Sequence, residues 1–429
     1  MEIKTKIINF LKEYWMILGI GLFAIIVRVV YLLALHPPLI WQDSALYDGS
    51  AWNFVQGNGY MFPDGVAFSG REPGYALFFL APLYALFGRN FLPVQIVQIG
   101  IGVLTLVLLH QFAKKYFSER VAIISALILA IHPLFIGYAS EILTEIPYAL
   151  LLLVGCLIVF DAAKGNSLKK AFAGGLILGL ATLTRFISIF LPIFFIPFLY
   201  LLFKDKTKTL KYFAIIFGAS MILIAPWIIR NYIVFDRFIF GRSGSGVIYW
   251  SGSYIPWDGE WKGYAEPPLP DLIKGLGEFE ADDKMTKLAF ENIKQNPIGV
   301  LGIWLKKPYK LFTKGEFKTV LERENGLSRF FGTNSLITPK LIARLLLSFN
   351  LAIVLFAIFG VSAVFRRDVV LGTFLASIIG YFLLFYLPMH PDSRYKMPLI
   401  PFIAIFSGVG FLLAYETVKK QYERLFVKK

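Results

Sequence analysis

Apolar runs of near membrane-spanning length recur along the whole chain. They lie at about 15–36, 73–88, 91–112, 121–139, 146–161, 171–184, 186–203, 212–229, 342–365, 369–388 and 398–415. Each is close to, or somewhat below, the roughly 20 residues a transmembrane helix needs. Inside a bilayer no water can satisfy backbone N–H and C=O groups, so such runs must close their hydrogen bonds internally as helices. The pattern predicts an all-α polytopic membrane protein, a helical bundle of about ten to eleven membrane segments with extracytoplasmic loops. A mean hydropathy of +0.65 and 57% hydrophobic residues fit that class.

The net charge of +15 would suit nucleic acid, but its distribution argues against it. Lys114, Lys115 and Arg120 flank one short connection, and Lys164, Lys169 and Lys170 another. Lys204, Lys206, Lys208 and Lys211 flank a third, and Arg366 and Arg367 a fourth. Basic clusters between apolar runs mark cytoplasmic loops rather than a phosphate-tracking patch. Both termini are basic as well. If 73–88 crossed the bilayer, the later clusters would change sides; this short segment, with Pro82 at its middle, is therefore expected to be re-entrant or interfacial. That leaves ten spans, while the competing count of eleven would put the C-terminus outside. The stretch 15–35 exceeds a signal-peptide core and is read as an uncleaved anchor. Cys156, the single cysteine, lies within an apolar run and has no intramolecular partner.

Three regions follow: an N-terminal transmembrane module at 1–230 with a first outer loop at 37–72, an extracytoplasmic loop domain at 231–340, and a C-terminal transmembrane module at 341–429. The loop domain carries Gly/Ser/aromatic turns, among them Gly241 to Gly246, which follow no βαβ strand and read as flexible loop. An amphipathic helix is expected at about 278–295.

Polar residues that converge on the outer face carry the chemistry. Asp43 stands just past the first span, flanked by Trp41 and Tyr47 as interfacial anchors; it suits a helix N-cap and equally a general base. Glu141 and Glu145, at i and i+4, suit either a solvated helix start or the orientation of an acceptor hydroxyl or partner arginine. Arg185 and Arg394, the latter beside Tyr395, lie near the hydrocarbon boundary, where a guanidinium either snorkels or meets an anion. Bidentate phosphate contact suits them. Arg71 is a third such arginine, and Arg230 a weaker one, since an arginine leaving a span is often an anchor. His132 and His390 each precede proline without metal-ligand spacing and read as structural, which leaves a divalent metal open. No P-loop, nucleophile elbow or dinucleotide fingerprint is present.

Taken in order, these residues resemble the polyprenyl-phosphate-sugar-dependent transferases of GT-C fold, the superfamily of protein O-mannosyltransferases and lipid A aminoarabinose transferases. The matching parts are Asp43-Ser44-x-x-Tyr47, Arg71-Glu72-Pro73-Gly74-Tyr75, Ser140-Glu141-x-x-x-Glu145, Leu183-Thr184-Arg185, Pro226-Trp227-x-x-Arg230-Asn231-Tyr232 and Arg394-Tyr395-x-x-Pro398-x-x-Pro401. The resemblance implies a sugar donor on a polyprenyl or dolichyl phosphate and inverting transfer outside the cytoplasm. Asp43 would be the catalytic acid of the first outer loop. Asp43-Ser44 replaces the family's frequent Asp-Glu, and Arg71-Glu72-Pro73-Gly74 replaces the Lys-Pro-Pro-Leu of aminoarabinose transferases.

The expected protein is thus a glycosyltransferase of the cell (plasma) membrane. Its active site is extracytoplasmic, and its partners are a polyprenyl-phosphate sugar donor, membrane lipids and an acceptor lipid, glycan or protein. Two rivals are a lipid-linked oligosaccharide ligase and a transporter or flippase. A transporter would place its charges near the bilayer midplane, often in inverted repeats; here they gather at span ends on one face.

Overall fold

The computed structural model of the chain describes residues 2–35, 42–62, 64–239, 241–313 and 339–424. Trp41 and residues 314–338 of the loop domain lie outside them. Among the described residues the chain is helical, with a single isolated β-bridge between Met61 and Ala67.

Among the described residues, seven helices are long and apolar enough to cross a membrane: Glu13–Ala34, Phe91–Tyr116, Glu145–Lys164, Phe186–Phe203, Lys206–Phe235, Leu341–Arg367 and Ser393–Tyr422. The pair Glu119–Ile131 and Pro133–Ser140, bent by 57°, makes an eighth. The expected ten also need Leu168–Thr184 and Val369–Phe385, each of 17 residues. At 1.5 Å per residue these reach only about 25 Å of a hydrocarbon core of about 30 Å. Pro73–Phe87 is a shorter apolar helix with one π turn at Ala76–Leu80.

The helices start and stop where the sequence supplies partners for their open backbone groups. Ser118, Ser167, Asp205 and Asp368 accept hydrogen bonds from the first-turn N–H groups of the helices they precede. Lys114, Lys115, Arg366 and Arg367 occupy last turns, where a cation meets the negative end of the helix dipole.

The bend at His132-Pro133 has a local cause. Proline offers no N–H, so the carbonyls before it lose their helical partners. Arg28, fully buried within the first span, donates to the carbonyls of Leu129 and Ala130, each at 3.1 Å. His132 Nδ1 accepts from Leu134 N–H and restarts the helix. Elsewhere small residues let helices approach closely. Gly175 and Gly179 face the backbone of Ile216 and Ser220, leaving no room for a Cβ.

A second, smaller hydrophobic core belongs to the loop region. Val247, Trp250, Trp257, Leu269, Met285 and Ala289 form it, where the helix Ser245–Ser253 packs along Glu278–Gln295. The latter is the amphipathic helix expected at 278–295.

Helix Glu145–Lys164 gives the bundle a ruler. Its first turn carries Glu145 and its last Lys164, which at 1.5 Å per residue are about 28 Å apart. Lys164 pairs with Asp368, and Lys115 with Asp161. The lysine-rich connections therefore share one end of the bundle. Glu145 belongs to the other.

Candidate active site

At the Glu145 end, three chain segments bring Arg71, Arg185 and Arg394 to two carboxylates, Asp43 and Glu145. Asp43 sits in the first turn of the helix Gln42–Val55. Arg71 Nη2 donates to its Oδ1, and Arg394 Nη1 to its Oδ2 at 2.9 Å. Arg394 also ion-pairs with Asp392, at 3.2 Å, and comes to 4.0 Å from Glu145. Glu145 in turn pairs with Arg185 at 3.4 Å. The alternation Arg71, Asp43, Arg394, Glu145, Arg185 is a continuous network in which Glu145 is buried and the other four are partly buried.

Local structure explains each placement. Gly74 lies against the backbone of Leu183 and Thr184 so closely that a Cβ would come within 2.6 Å. That contact brings Arg71-Glu72 beside Arg185, and Glu72 Oε1 accepts the N–H of Phe186 at 3.1 Å. The connection at 138–145 is tied down by Gln95, which donates to Ser140 O, and by Gln98, which donates to Ala139 O and Glu141 O. Tyr395 stacks on Tyr386 with ring centroids 4.9 Å apart and planes 9° from parallel. The Arg185 and Arg394 guanidinium carbons stand 5.7 and 5.9 Å from the Tyr395 ring, an arrangement that stabilises a cation over a π face.

The electrostatics follow from burial and these partners. Burial alone would raise the Asp43 carboxyl, but the Arg394 and Arg71 charges overcome it and hold the group well below the usual carboxylate range. Some donors remain unspent. Arg71 Nε and Arg185 Nη1 are buried and have no hydrogen-bond acceptor among the described residues. Unsatisfied buried donors of charged groups are costly, so this end of the molecule is poised to receive an anion.

Other expected residues fall elsewhere. Arg230 spends its donors on the carbonyls of Phe68, at 2.8 Å, and Tyr60, at 3.0 Å, and on the Asn231 side chain. It shapes the 60–68 turn and is not brought to Asp43. Glu141 is buried on the same connection as Glu145, its carbonyl accepting from Gln98. Asp48 is clamped by Arg89 and Tyr84 and fastens its helix to the 73–87 segment. His390, pushed down to about 4 by burial, is neutral at pH 7; Ser251 and Tyr395 flank its two ring nitrogens.

One arginine escaped the sequence reading. Arg242, within Gly241 to Gly246, is half-buried beside this network, close enough to Arg71, Glu72 and Asp43 to feel their charges. An arginine inside a Gly/Ser run was the available signal, because nothing local in such a run gives the charge a partner.

Residues 71–229 match the family described as dolichyl-phosphate-mannose-protein mannosyltransferase. No curated protein matches the sequence. Among solved structures, the apo oligosaccharyltransferase of Archaeoglobus fulgidus is 13% identical, with a TM-score of 0.55 over 97% of this chain and 53% of that one. The archaeal oligosaccharyltransferase AglB from Archaeoglobus fulgidus, in complex with an inhibitory peptide and a dolichol-phosphate, is 11% identical, with a TM-score of 0.52 over 98% of this chain and 53% of that one. This protein therefore spans about half the length of those enzymes. The chain has a GT-C fold. ArnT from Cupriavidus metallidurans, bound to undecaprenyl phosphate, matches at 15% identity with a TM-score of 0.44, over 94% of this chain and 80% of that one.

Another oligosaccharyltransferase structure of this GT-C group is a complex with Zn and sulfate. The residues around Asp43 do not fit a divalent metal. Both Asp43 oxygens are taken by guanidinium N–H groups, and no cluster of three or more His, Cys, Asp or Glu that could hold an ion occurs among the described residues. A divalent ion roughly 4 Å from each guanidinium would be repelled by about 8 kcal/mol per arginine at an effective dielectric constant of about 20.

Proposed function

We propose that this protein is an integral membrane glycosyltransferase that moves a sugar from a polyprenyl- or dolichyl-phosphate carrier to an extracytoplasmic acceptor. The observation that carries this reading is the partly buried Arg71–Asp43–Arg394–Glu145–Arg185 network with its unspent arginine donors. Its position at the bundle end opposite the lysine-rich connections, the mannosyltransferase family match and the fold shared with AglB, which was solved in complex with a dolichol-phosphate, support it.

The mechanism follows from charge. In the ligand-free protein Asp43 is ionised but a poor base, because two guanidinium groups stabilise its anion. A donor phosphate offers those guanidinium groups a second anion. As N–H bonds of Arg71 and Arg394 pass to phosphoryl oxygens, the Asp43 carboxylate loses stabilisation and its basicity rises toward the range useful for general-base catalysis. Asp43 then takes the acceptor hydroxyl proton while the acceptor oxygen attacks the anomeric carbon on the face opposite the phosphate. The bond from that carbon to the phosphate oxygen breaks, the configuration inverts, and the leaving phosphate keeps the electron pair. Arg185 and Arg394 stabilise the charge that develops there. Glu145 holds Arg185 in place and, with Glu141, borders the space for the acceptor.

The test is a reconstituted assay with labelled sugars on polyprenyl monophosphate, read by the anomeric configuration of the product. Absence of transfer from every such donor, or retained configuration, overturns the reading. The fold shared with an oligosaccharyltransferase over 97% of the chain favours a second reading, a lipid-linked oligosaccharide ligase. Preference for diphosphate over monophosphate carriers in the same assay would select it.

A further inference from the structure

We propose that Arg242 is a ligand of the donor phosphate, so that the glycine-rich loop Gly241 to Gly246 forms one wall of the donor site; this rests on the transferase reading above. The loop is built into that position. Ser243 N–H donates to Ser69 O, and the Ser243 and Ser69 hydroxyls meet, each contact at 3.0 Å. Ser243 also donates to Glu278. Trp227 Nε1 donates to Gly241 O at 3.2 Å. Gly241 has φ +100° and lies flat against the Phe186 ring, next to Arg185. Both the positive φ and the ring exclude a side chain there. The loop is thereby wedged between the segment carrying Arg71 and the turn carrying Arg185.

Arg242 differs from its neighbours in its partners. Arg71 and Arg394 have Asp43, Arg185 has Glu145, Arg89 has Asp48 and Arg237 has Asp283. Among the described residues Arg242 has no carboxylate within ion-pair distance, and the one hydrogen bond of its side chain runs from Nε to Ser243 O at 3.3 Å. Burial disfavours its charge, and the nearby Arg71 cation adds to that cost. Two guanidinium groups close enough to repel, one of them without a carboxylate, are relieved by an anion between them. The planar fork of arginine suits two phosphoryl oxygens at once. A phosphodiester linking sugar and prenyl chain, or the carrier phosphate left after transfer, supplies that group beside Asp43.

Binding, rather than turnover, tests this. The full chain in nanodiscs is titrated with a sugar-free polyprenyl phosphate, with inorganic phosphate, and with lipid mixtures rich in phosphatidylglycerol. The variants are Arg242→Gln, Arg242→Lys and, as a control outside the site, Arg237→Gln. Arg242→Gln is expected to weaken polyprenyl phosphate binding at least tenfold. Arg242→Lys, which keeps charge but loses the fork, falls between, and Arg237→Gln binds as wild type. Should Arg242→Gln fail to fold, Arg242→Lys decides, since its loss of affinity must still exceed that of the control. Wild-type affinity in both Arg242 variants overturns the proposal and leaves the transferase reading standing. An equal loss toward phosphatidylglycerol also overturns it, because it assigns Arg242 to lipid headgroups. An equal loss toward inorganic phosphate supports the phosphate contact and locates recognition in the anion rather than the prenyl chain. No wild-type binding of polyprenyl phosphate sinks this proposal and the transferase reading together.

Discussion

The two ends of the bundle carry similar charges in opposite settings. At one end Lys115 and Asp161 pair with side chains 58% and 40% exposed, and Lys164 and Asp368 with 35% and 33%. At the other end Arg185 and Glu145 pair at 16% and 1%, and Arg394 and Asp43 at 15% and 19%. Exposed pairs are screened and contribute about 0–1 kcal/mol. Buried charges cost several kcal/mol of desolvation each, and removing one partner leaves the other stranded. Lysine suffices at the exposed end, where it marks sidedness and meets helix dipoles. Within the network around Asp43 and Glu145 the cations are Arg71, Arg185 and Arg394, whose fork can hold a carboxylate and still present N–H groups to a ligand.

The contrast breaks first at Asp43. Asp43→Asn should lower the transfer rate by about 10²–10⁴-fold, the range for loss of a general base, with the folded fraction in size-exclusion chromatography unchanged. A variant within a few-fold of wild type ends the base assignment. Next come Arg185→Lys and Arg394→Lys, each expected to cost about 1.5–3 kcal/mol in kcat/KM for the donor, the value of a charged hydrogen bond. Generic snorkelling anchors would accept lysine unchanged, so wild-type donor saturation curves in both would return the arginines to that bland role.

A smaller effect concerns Lys307 of the helix Pro297–Thr313. It is buried, donates to Gly252 O at 2.5 Å and Leu387 O at 2.7 Å, and is pushed down to about 7 by burial and then by Lys310. The unfolded chain keeps that proton up to its ordinary value near 10.5. Between those values the unfolded state binds more protons, so stability rises with pH by at most about 1.4 kcal/mol per pH unit. The thermal midpoint in detergent should climb over that window, and Lys307→Met should flatten the climb; an unchanged slope in the variant refutes it.

Smallest of all, Lys115→Ala and Lys164→Ala should shift the midpoint by no more than the equivalent of about 0.5 kcal/mol and leave transfer intact. A chelator should leave it intact too, because guanidinium groups occupy the place a divalent ion would need. Activity lost to chelation and restored by added metal would show that the Asp43 pair opens to admit an ion.

The helical class, the run of apolar segments and the grouping of Asp43, Arg71, Glu145, Arg185 and Arg394 as residues of interest were legible in the chain. Their spacing relative to apolar runs is a local property. Arg230 and Arg242 were not separable in that way. Both sit near aromatic or glycine-rich sequence, Arg230 in the last turns of the span Lys206–Phe235 and Arg242 just past it, yet one is consumed by the Phe68 and Tyr60 carbonyls while the other is left without an acid. The number of spans is not fixed by hydropathy for a related reason: it registers that a segment is apolar, whereas the length of Leu168–Thr184 and Val369–Phe385, 17 residues each, is set by where their ends fall.

By itself, then, the sequence determined a membrane-embedded helical bundle with its lysine-rich connections at one end, because a bilayer forces every apolar run to satisfy its own backbone and basic loops resist translocation. Only the tertiary structure decided which charges meet. Asp43 and Arg394 stand 351 residues apart in the chain and 2.9 Å apart in space. The free energy of such a pair depends on burial and on the next guanidinium, quantities that exist only after the helices have packed.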